Sequence, residues 1–426
     1  MSAMKDTGIE WIGEIPLGWE LRRIKTNFNI LAGATPKSGE ASFWDGGIPW
    51  ITPADYTTEG VYVSAGHKSI TEDGLNSCAT SLIPEGSIIF SKRAPVGLVA
   101  INKNPLCTNQ GCLSCVPKAD VDAKYFYYVM SIYCDQFNLF ASGTTFKEIS
   151  TDAFANFKLP YPDYMTQKRI SSFLDAKCAE IDALIAAKEK TNALLRERRQ
   201  SIIYEAVTKG LNPNAPMKDS GVEWIGEIPE GWELKRLKYL GSMQIGLTYS
   251  PEEIVADGAL VLRSSNIQDG KIVHADDIFV GKEIPEKLKV EEGDILICSR
   301  NGSRSLIGKN AVITEEFSGQ TFGAFMTIFR GRLNFYIKYL LNSSVFDYYV
   351  GSFLTSTINQ LTTSNLGNIL VPVPSTEEEM WKNAEHIETE CRTIDPIIAM
   401  NNETIKKLKE YRQSLIYEAV TGKIEV

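Results

Sequence analysis

"MKDTGIEWIGEIPLGWELRRIK" occupies residues 4–25, and "MKDSGVEWIGEIPEGWELKRLK" occupies residues 217–238, matching at 17 of 22 positions. The offset is 213, half of a chain of 426 residues. The same offset returns at the far end of each half, where "RQSIIYEAVT" (199–208) meets "RQSLIYEAVT" (412–421). Two copies of one unit therefore lie end to end, and the repeat has to be read before any local feature. Between these ends the register slips: "PWITPADY" (49–56) answers "VLRSSNI" (261–267), and "EGSIIFSKR" (85–93) answers "EGDILICSR" (292–300). Slippage of this kind marks insertions in surface loops. Each half thus has a constant frame and a variable interior.

The interiors read as short strands and helices. "GSIIFS", "GDILICS", "IPWIT" and "ALVLR" are apolar or β-branched runs behind turn signals. "DAKYFYYVMSIYCDQFNLF" (122–140) and "NFYIKYLLNSSVFDYYV" (334–350) carry apolar residues at helical spacing. The prolines of "LPYP" (159–162) and "VPVP" (371–374) are expected to stop any strand there.

Beyond them the chain turns polar, charged and nearly free of glycine. Leu174, Cys178, Ile181, Ile185, Lys188, Asn192, Leu195, Arg199, Ile202 and Ala206 step in alternating fours and threes. Ile387, Cys391, Ile394, Ile398, Asn401, Ile405, Leu408, Arg412, Leu415 and Ala419 repeat those steps. That is a heptad seam, with Asn192 and Asn401 read as polar residues at matching places that set register. Such seams let the two helices pack on each other; the alternative is that each packs only on its own globule. Pro396 reads as a kink or a fresh helix start.

Composition excludes more than it identifies. No apolar run approaches the roughly 18 residues of a membrane span, and the opening residues lack a secretory pattern. Eight irregularly spaced cysteines then read as reduced thiols of a cytoplasmic protein. The net charge of −9 divides into −1 for residues 1–213 and −8 for 214–426, which argues against simple coating of nucleic acid. The three histidines, His67, His274 and His386, have no ligand neighbours at metal spacing. Cys107, Cys112 and Cys115 contain one C-x₂-C without a second pair, so no metal is expected. "GSRSLIGKN" (302–310) fails as a phosphate loop, and no catalytic or cofactor motif is found.

Polar, cationic loops remain. "SKRAPVG" (91–97) and "SGTTFKEIS" (142–150) have counterparts in "SRNGSRSLIGK" (299–309) and "TSTINQLTT" (355–363). Cations, hydroxyls and amides hold phosphates, and Arg, Asn and Gln read base edges. The candidate DNA contacts are Lys92, Arg93, Thr144, Thr145 and Lys147 in the first half. In the second they are Arg263, Ser299, Arg300, Asn301, Ser303, Arg304, Thr357, Asn359 and Gln360.

The ordered set of "EWIGEIPxGWE", "SG(T)T…IS…LPxP", "TQKRI…IDALI" and "RQSIIYEAVTKG", present along the whole chain, resembles the specificity subunit of Type I restriction–modification enzymes. The resemblance implies an α+β fold: two mixed α/β target-recognition domains joined by two long antiparallel helices forming a coiled coil, with internal pseudo-two-fold symmetry. It implies a non-catalytic reader of double-stranded DNA without cofactors. Each domain would read half of a bipartite, asymmetric target, and the helices would set the gap. Partners would be methyltransferase subunits, two in number, and restriction–translocase subunits. The corresponding division is 1–163, first recognition domain; 164–210, first helix; 211–218, linker; 219–375, second recognition domain; and 376–426, second helix. The chain departs from the pattern at "TEEEMWKN" (376–383), where the second helix is expected to start differently. The two tryptophans of "EWIGEIPxGWE" are expected to anchor each domain beside the helices. A protein-binding adaptor that has lost DNA binding is the alternative, motivated by the acidic second half.

Overall fold

The computed structural model describes residues 3–56, 60–93, 95–143, 147–354 and 359–426. They form two compact units, Met1–Lys188 with Glu403–Val426, and Glu189–Asn402. The structural unit is therefore not the sequence repeat. Each unit takes the start of one long helix and the end of the other.

In the first unit a five-stranded sheet runs in the order 28–32, 112–117, 88–91, 99–102, 62–63, beside a three-stranded sheet of 107–108, 44–51 and 68–70. Ile88, Phe90 and Leu113 sink from one sheet face into a core shared with Tyr125, Phe126, Phe137 and Phe154. Those aromatics come from Ala123–Ile132, Cys134–Leu139 and Thr151–Asn156, three helices that begin with Asp122, Tyr133 and Ser150 as caps. The second unit holds a four-stranded sheet of 242–245, 326–330, 295–298 and 310–312, and another of 254–255, 279–280, 259–262 and 321–322. Both long aromatic stretches break into two helices, 334–350 becoming Asn334–Leu340 and Ser344–Phe353.

The prolines do not stop the strands that contain them. Pro160 pairs with Leu21 in Lys158–Tyr161, and Pro372 pairs with Leu234 in Leu370–Val373. Each lies in a two-stranded ladder, where one edge of every strand needs no donor, so a missing N–H costs nothing there.

The long helices are Tyr164–Thr208 and Glu377–Val420, and both begin 213 residues apart like the sequence repeat. Asp163 caps the first through the Thr166 amide at 3.0 Å, and Thr376 caps the second through the Glu379 amide at 3.2 Å. Thr376 thus stands in the place of Asp163, and "TEEEMWKN" changes residues without shifting the start. Its three glutamates favour the positive end of the helix. Pro396 sits inside an unbroken helix, exposed to solvent, so it is not a fresh start. Its ring removes one backbone bond from a helix whose other face is buried. Gly210 and Gly422 follow the helix ends with φ of +70° and +71°, a conformation that suits glycine after a helix. There Gly210 runs against the Trp232 ring, and Gly422 against Pro16 and Trp19.

The seams pair antiparallel within each unit. In the first, Leu174, Ile181 and Ile185 share a core with Leu415, and Ile405 and Leu408 pack against it; Asp182 meets Arg412 at 3.2 Å. In the second, Ile394 is buried and Leu195, Ile202 and Ile398 are half-buried, while Arg199 meets Asp395 at 3.1 Å. These two ion pairs are repeat equivalents. Asn192 and Asn401 are not: they stand 209 apart and bond to each other, the Asn401 amide donating to Asn192 Oδ1 at 2.9 Å. Asn192 donates onward to Asn402 Oδ1 at 2.9 Å. The helices also pack on their own globules, since Tyr128 donates to Asp175 at 2.8 Å and Tyr339 to Glu388 at 2.5 Å. Both packing modes hold along one helix, because its two ends face different neighbours.

Candidate nucleic-acid interface

The repeated opening is a hairpin. Met4–Asp6 pairs with Glu14–Pro16, and Met217–Asp219 with Glu227–Pro229. Gly8 and Gly13 turn its tip with φ of +66°, and Gly221 and Gly226 do the same at +71° and +70°. Trp232 Nε1 donates to Glu379 Oε1 of the second long helix at 2.9 Å, and Trp11 and Trp19 pack on a core that includes Leu174 and Ile416 of the long helices. Trp11 also packs on Phe140 and Phe157, and Trp224 on Tyr348 and Tyr349. Among the described residues no backbone hydrogen bond links this hairpin to the polar loops described next.

Three segments, distant in sequence, meet at one edge of each unit. In the first unit the backbone just after strand 88–91 is fixed on both sides. The Lys92 amide donates to Gly111 O at 2.9 Å, and the Ile149 amide donates to Lys92 O at 3.0 Å. In the second unit the Ser299 amide donates to Phe325 O at 3.0 Å, and the Leu361 amide to Ser299 O at 2.7 Å. Bridges between Arg93 and Glu148, and between Arg300 and Gln360, complete the correspondence. Gly33 and Gly246, one repeat apart, allow the third segment in. A Cβ on Gly33 would meet Asn109 O at 2.1 Å, and one on Gly246 would meet Gly323 O at 2.3 Å. The same platform is therefore built twice on equivalent backbone, with different side chains upon it.

The side chains differ in charge. Lys92 pairs with Glu148 at 2.7 Å, and Arg93 with the other oxygen of Glu148 at 3.5 Å. The Lys92 hydrogen bond holds the Glu148 carboxyl below the ordinary carboxylate range. In the second unit Gln360 replaces that carboxylate, and the Arg300 guanidinium lies over the Phe325 ring, 5.1 Å from its centroid. Lys147 and Asn359 are exposed at the rims of the two platforms. Thr144, Thr145 and Thr357 lie outside the described residues.

The remaining candidates make bonds within the second unit. Arg304 donates to Gly351 O at 3.2 Å and Leu354 O at 2.9 Å, closing the end of helix Ser344–Phe353. Asn301 donates to Ser264 at 3.1 Å and receives the Ser303 amide at 2.9 Å. Arg263 is half-buried and donates to the Asp276 carbonyl. These bonds hold the loop in shape, while Arg263 Nε stays without a hydrogen-bond partner among the described residues.

Sequence reasoning missed Glu148, Asn109, Gln110 and Phe325. Gln110 is exposed and accepts from Thr35, and Phe325 is exposed beside Arg300. The paired glycines Gly33 and Gly246 were the available signal, because they mark a close backbone approach.

Burial pushes the Cys107 and Cys112 thiols up to about 11 and about 12, so both stay protonated. Among the described residues no group of three or more His, Cys, Asp or Glu could hold a metal ion. No helix there is long and apolar enough to cross a membrane.

Residues 16–194 match the model of the Type I restriction modification DNA specificity domain. The MjaIX specificity subunit of Methanocaldococcus jannaschii is 28% identical, covering 97% of this chain and 95% of its own length. The EcoKI specificity subunit of Escherichia coli is 30% identical over 47% of this chain and 44% of its own. A solved chain from work on complex assembly and conformational transition of the type I R-M system shares the fold. Its TM-score is 0.70 at 16% identity, covering 96% of this chain and 99% of that one. Duplicated frame, varied platforms and paired helices thus coincide with a likeness, along almost the whole chain, to the specificity subunits of Type I restriction–modification enzymes.

Proposed function

We propose that the chain recognises double-stranded DNA and catalyses nothing itself, each platform reading one half of a bipartite, asymmetric sequence. The observation that carries this reading is the platform built twice on equivalent backbone with unlike side chains, Lys92, Arg93 and Glu148 against Ser299, Arg300 and Gln360. A symmetric frame delivers two readers to one duplex, as homodimeric readers do for palindromes. Unlike readers then require unlike half-sites. Lys147, Asn359 and the threonines 144, 145 and 357 extend the contact surface in this reading, while Arg263, Asn301, Ser303 and Arg304 position it.

The long helices set the unread gap and dock two methyltransferase subunits, and restriction–translocase subunits complete a complex that works on DNA in the cytoplasm. Residues 1–163 and 219–375 are the recognition domains, 164–210 and 376–426 the helical spacers, and 211–218 the linker.

A base-resolution map of adenine methylation, with and without this gene, tests the reading. Deletion is expected to erase methylation at one gapped, asymmetric motif. Exchange of residues 26–160 for another recognition domain is expected to change one half of that motif only. A map unchanged by deletion, or an exchange that alters both halves, overturns the proposal.

A further inference from the structure

Phe325 is 57% exposed, although it stands directly before a strand, Met326–Arg330, that is buried up to its last residue. Its backbone is fixed. The carbonyl accepts from the Ser299 amide, the Arg300 amide and Ser299 Oγ, each at 3.0 Å. A bond from the Met326 amide to Gly323 O, 2.8 Å, closes the turn behind it. Arg300 stands over the ring, so a cation lies beside an exposed phenyl group. In the first unit the equivalent carbonyl belongs to Gly111, which has no side chain. The exposed group there is the amide of Gln110, and the half-buried Asn109 accepts from the Gly111 amide at 2.8 Å. The two platforms therefore differ in kind: one offers hydrogen-bonding groups at this point, the other an apolar edge.

We infer that Phe325 is a specificity-determining residue, its ring packing on the 5-methyl group of a thymine in the half-site read by the second unit. This rests on the DNA-reading function proposed above. Thymine is the base that presents a methyl group in the major groove, and apolar side chains recognise it there. Arg300, held against the ring, is carried to the same base step. A cation beside an apolar edge suits a thymine next to a guanine or a phosphate.

The test uses the chain in complex with its methyltransferase subunits and the duplex motif taken from the methylation map. Each thymine of the half-site that Arg300→Ala weakens is replaced in turn by deoxyuridine, which lacks the methyl group. For the unaltered complex one replacement is expected to weaken binding about fourfold, the effect of burying one methyl group at about 0.8 kcal/mol. With Phe325→Ala the same replacement is expected to have no effect, and Phe325→Leu to keep part of it. Unchanged recognition of the other half-site by these variants serves as the control for folding. A half-site without thymine, or equal sensitivity to deoxyuridine in the Phe325→Ala complex, overturns the inference while leaving DNA recognition standing. Loss of the DNA-reading function itself would appear earlier, as a methylation map that deletion leaves unchanged.

Discussion

The Tyr204 hydroxyl donates to the Ile225 carbonyl at 3.1 Å, joining the end of the first long helix to the hairpin that opens the second repeat. One repeat away, the Tyr417 hydroxyl donates to the Ile12 carbonyl at 3.0 Å, joining the end of the second helix to the hairpin that opens the first. Each repeat therefore finishes by closing a hairpin that another stretch of chain began. Both stretches are nearly invariant between the halves because each is half of one contact.

Tyr204→Phe removes a hydrogen bond and leaves the surrounding packing in place. The expected cost is about 1 kcal/mol. Hydrogen exchange should locate the loss, with weaker amide protection in residues 217–229 and unchanged protection in residues 4–16. Equal loss at both hairpins would mean that the contact acts elsewhere.

Glu148 covers two cations of the first platform. Its depressed pKa means that the carboxylate, and the pairing with it, persists above the ordinary carboxylate range and is lost only as pH falls through the lowered value. At neutral pH the cations are thus masked. Glu148→Gln installs the amide that Gln360 provides in the second unit. It should raise affinity for nonspecific DNA and steepen the salt dependence by roughly one to two units of slope. Titrations of the complex at several salt concentrations measure both.

Asn192, 2% exposed, binds both Asn401 and Asn402. Asn192→Leu takes one partner from a buried amide, at an expected cost of roughly 1–3 kcal/mol. Asn192→Leu with Asn401→Leu should recover part of that loss, because the two residues form one network. Urea unfolding of the single and double variants gives the coupling, and strict additivity would count against the network.

His274 Nδ1 lies 2.5 Å from Asp277, and Nε2 lies 3.5 Å from Glu316. The Asp277 hydrogen bond raises the imidazole pKa above its ordinary value near 6.5. A raised folded pKa gives a contribution present in full below the unfolded pKa and lost as pH rises through the folded one. Protection of the amides of residues 267–277, corrected for intrinsic exchange rates, should therefore fall as pH rises past 6.5. His274→Asn should flatten that dependence.

Much of the fold was legible because periodicity is local. A heptad seam records which face of a helix is buried, and each seam residue from Leu174 to Leu415 named as such is buried or half-buried. Strand runs such as Ile88–Ser91 and Ile295–Cys298 stand where apolar runs and turn signals put them. Prolines 160 and 372 misled because a strand was judged without its partner: one unpaired edge makes a missing donor harmless. For Arg304, composition marks a cation but not the Gly351 and Leu354 carbonyls that hold it.

By itself the sequence determined the duplication, the seams, the strand runs and the cationic loops, all of which depend on residues near one another in the chain. Only the tertiary structure decided that Tyr204 closes on Ile225 and Tyr417 on Ile12, that Glu148 covers Lys92 and Arg93, and that Phe325 stands beside Arg300. Those pairings join segments far apart in the chain, and which segments meet is set by sheet order and helix direction, quantities that no local spacing encodes.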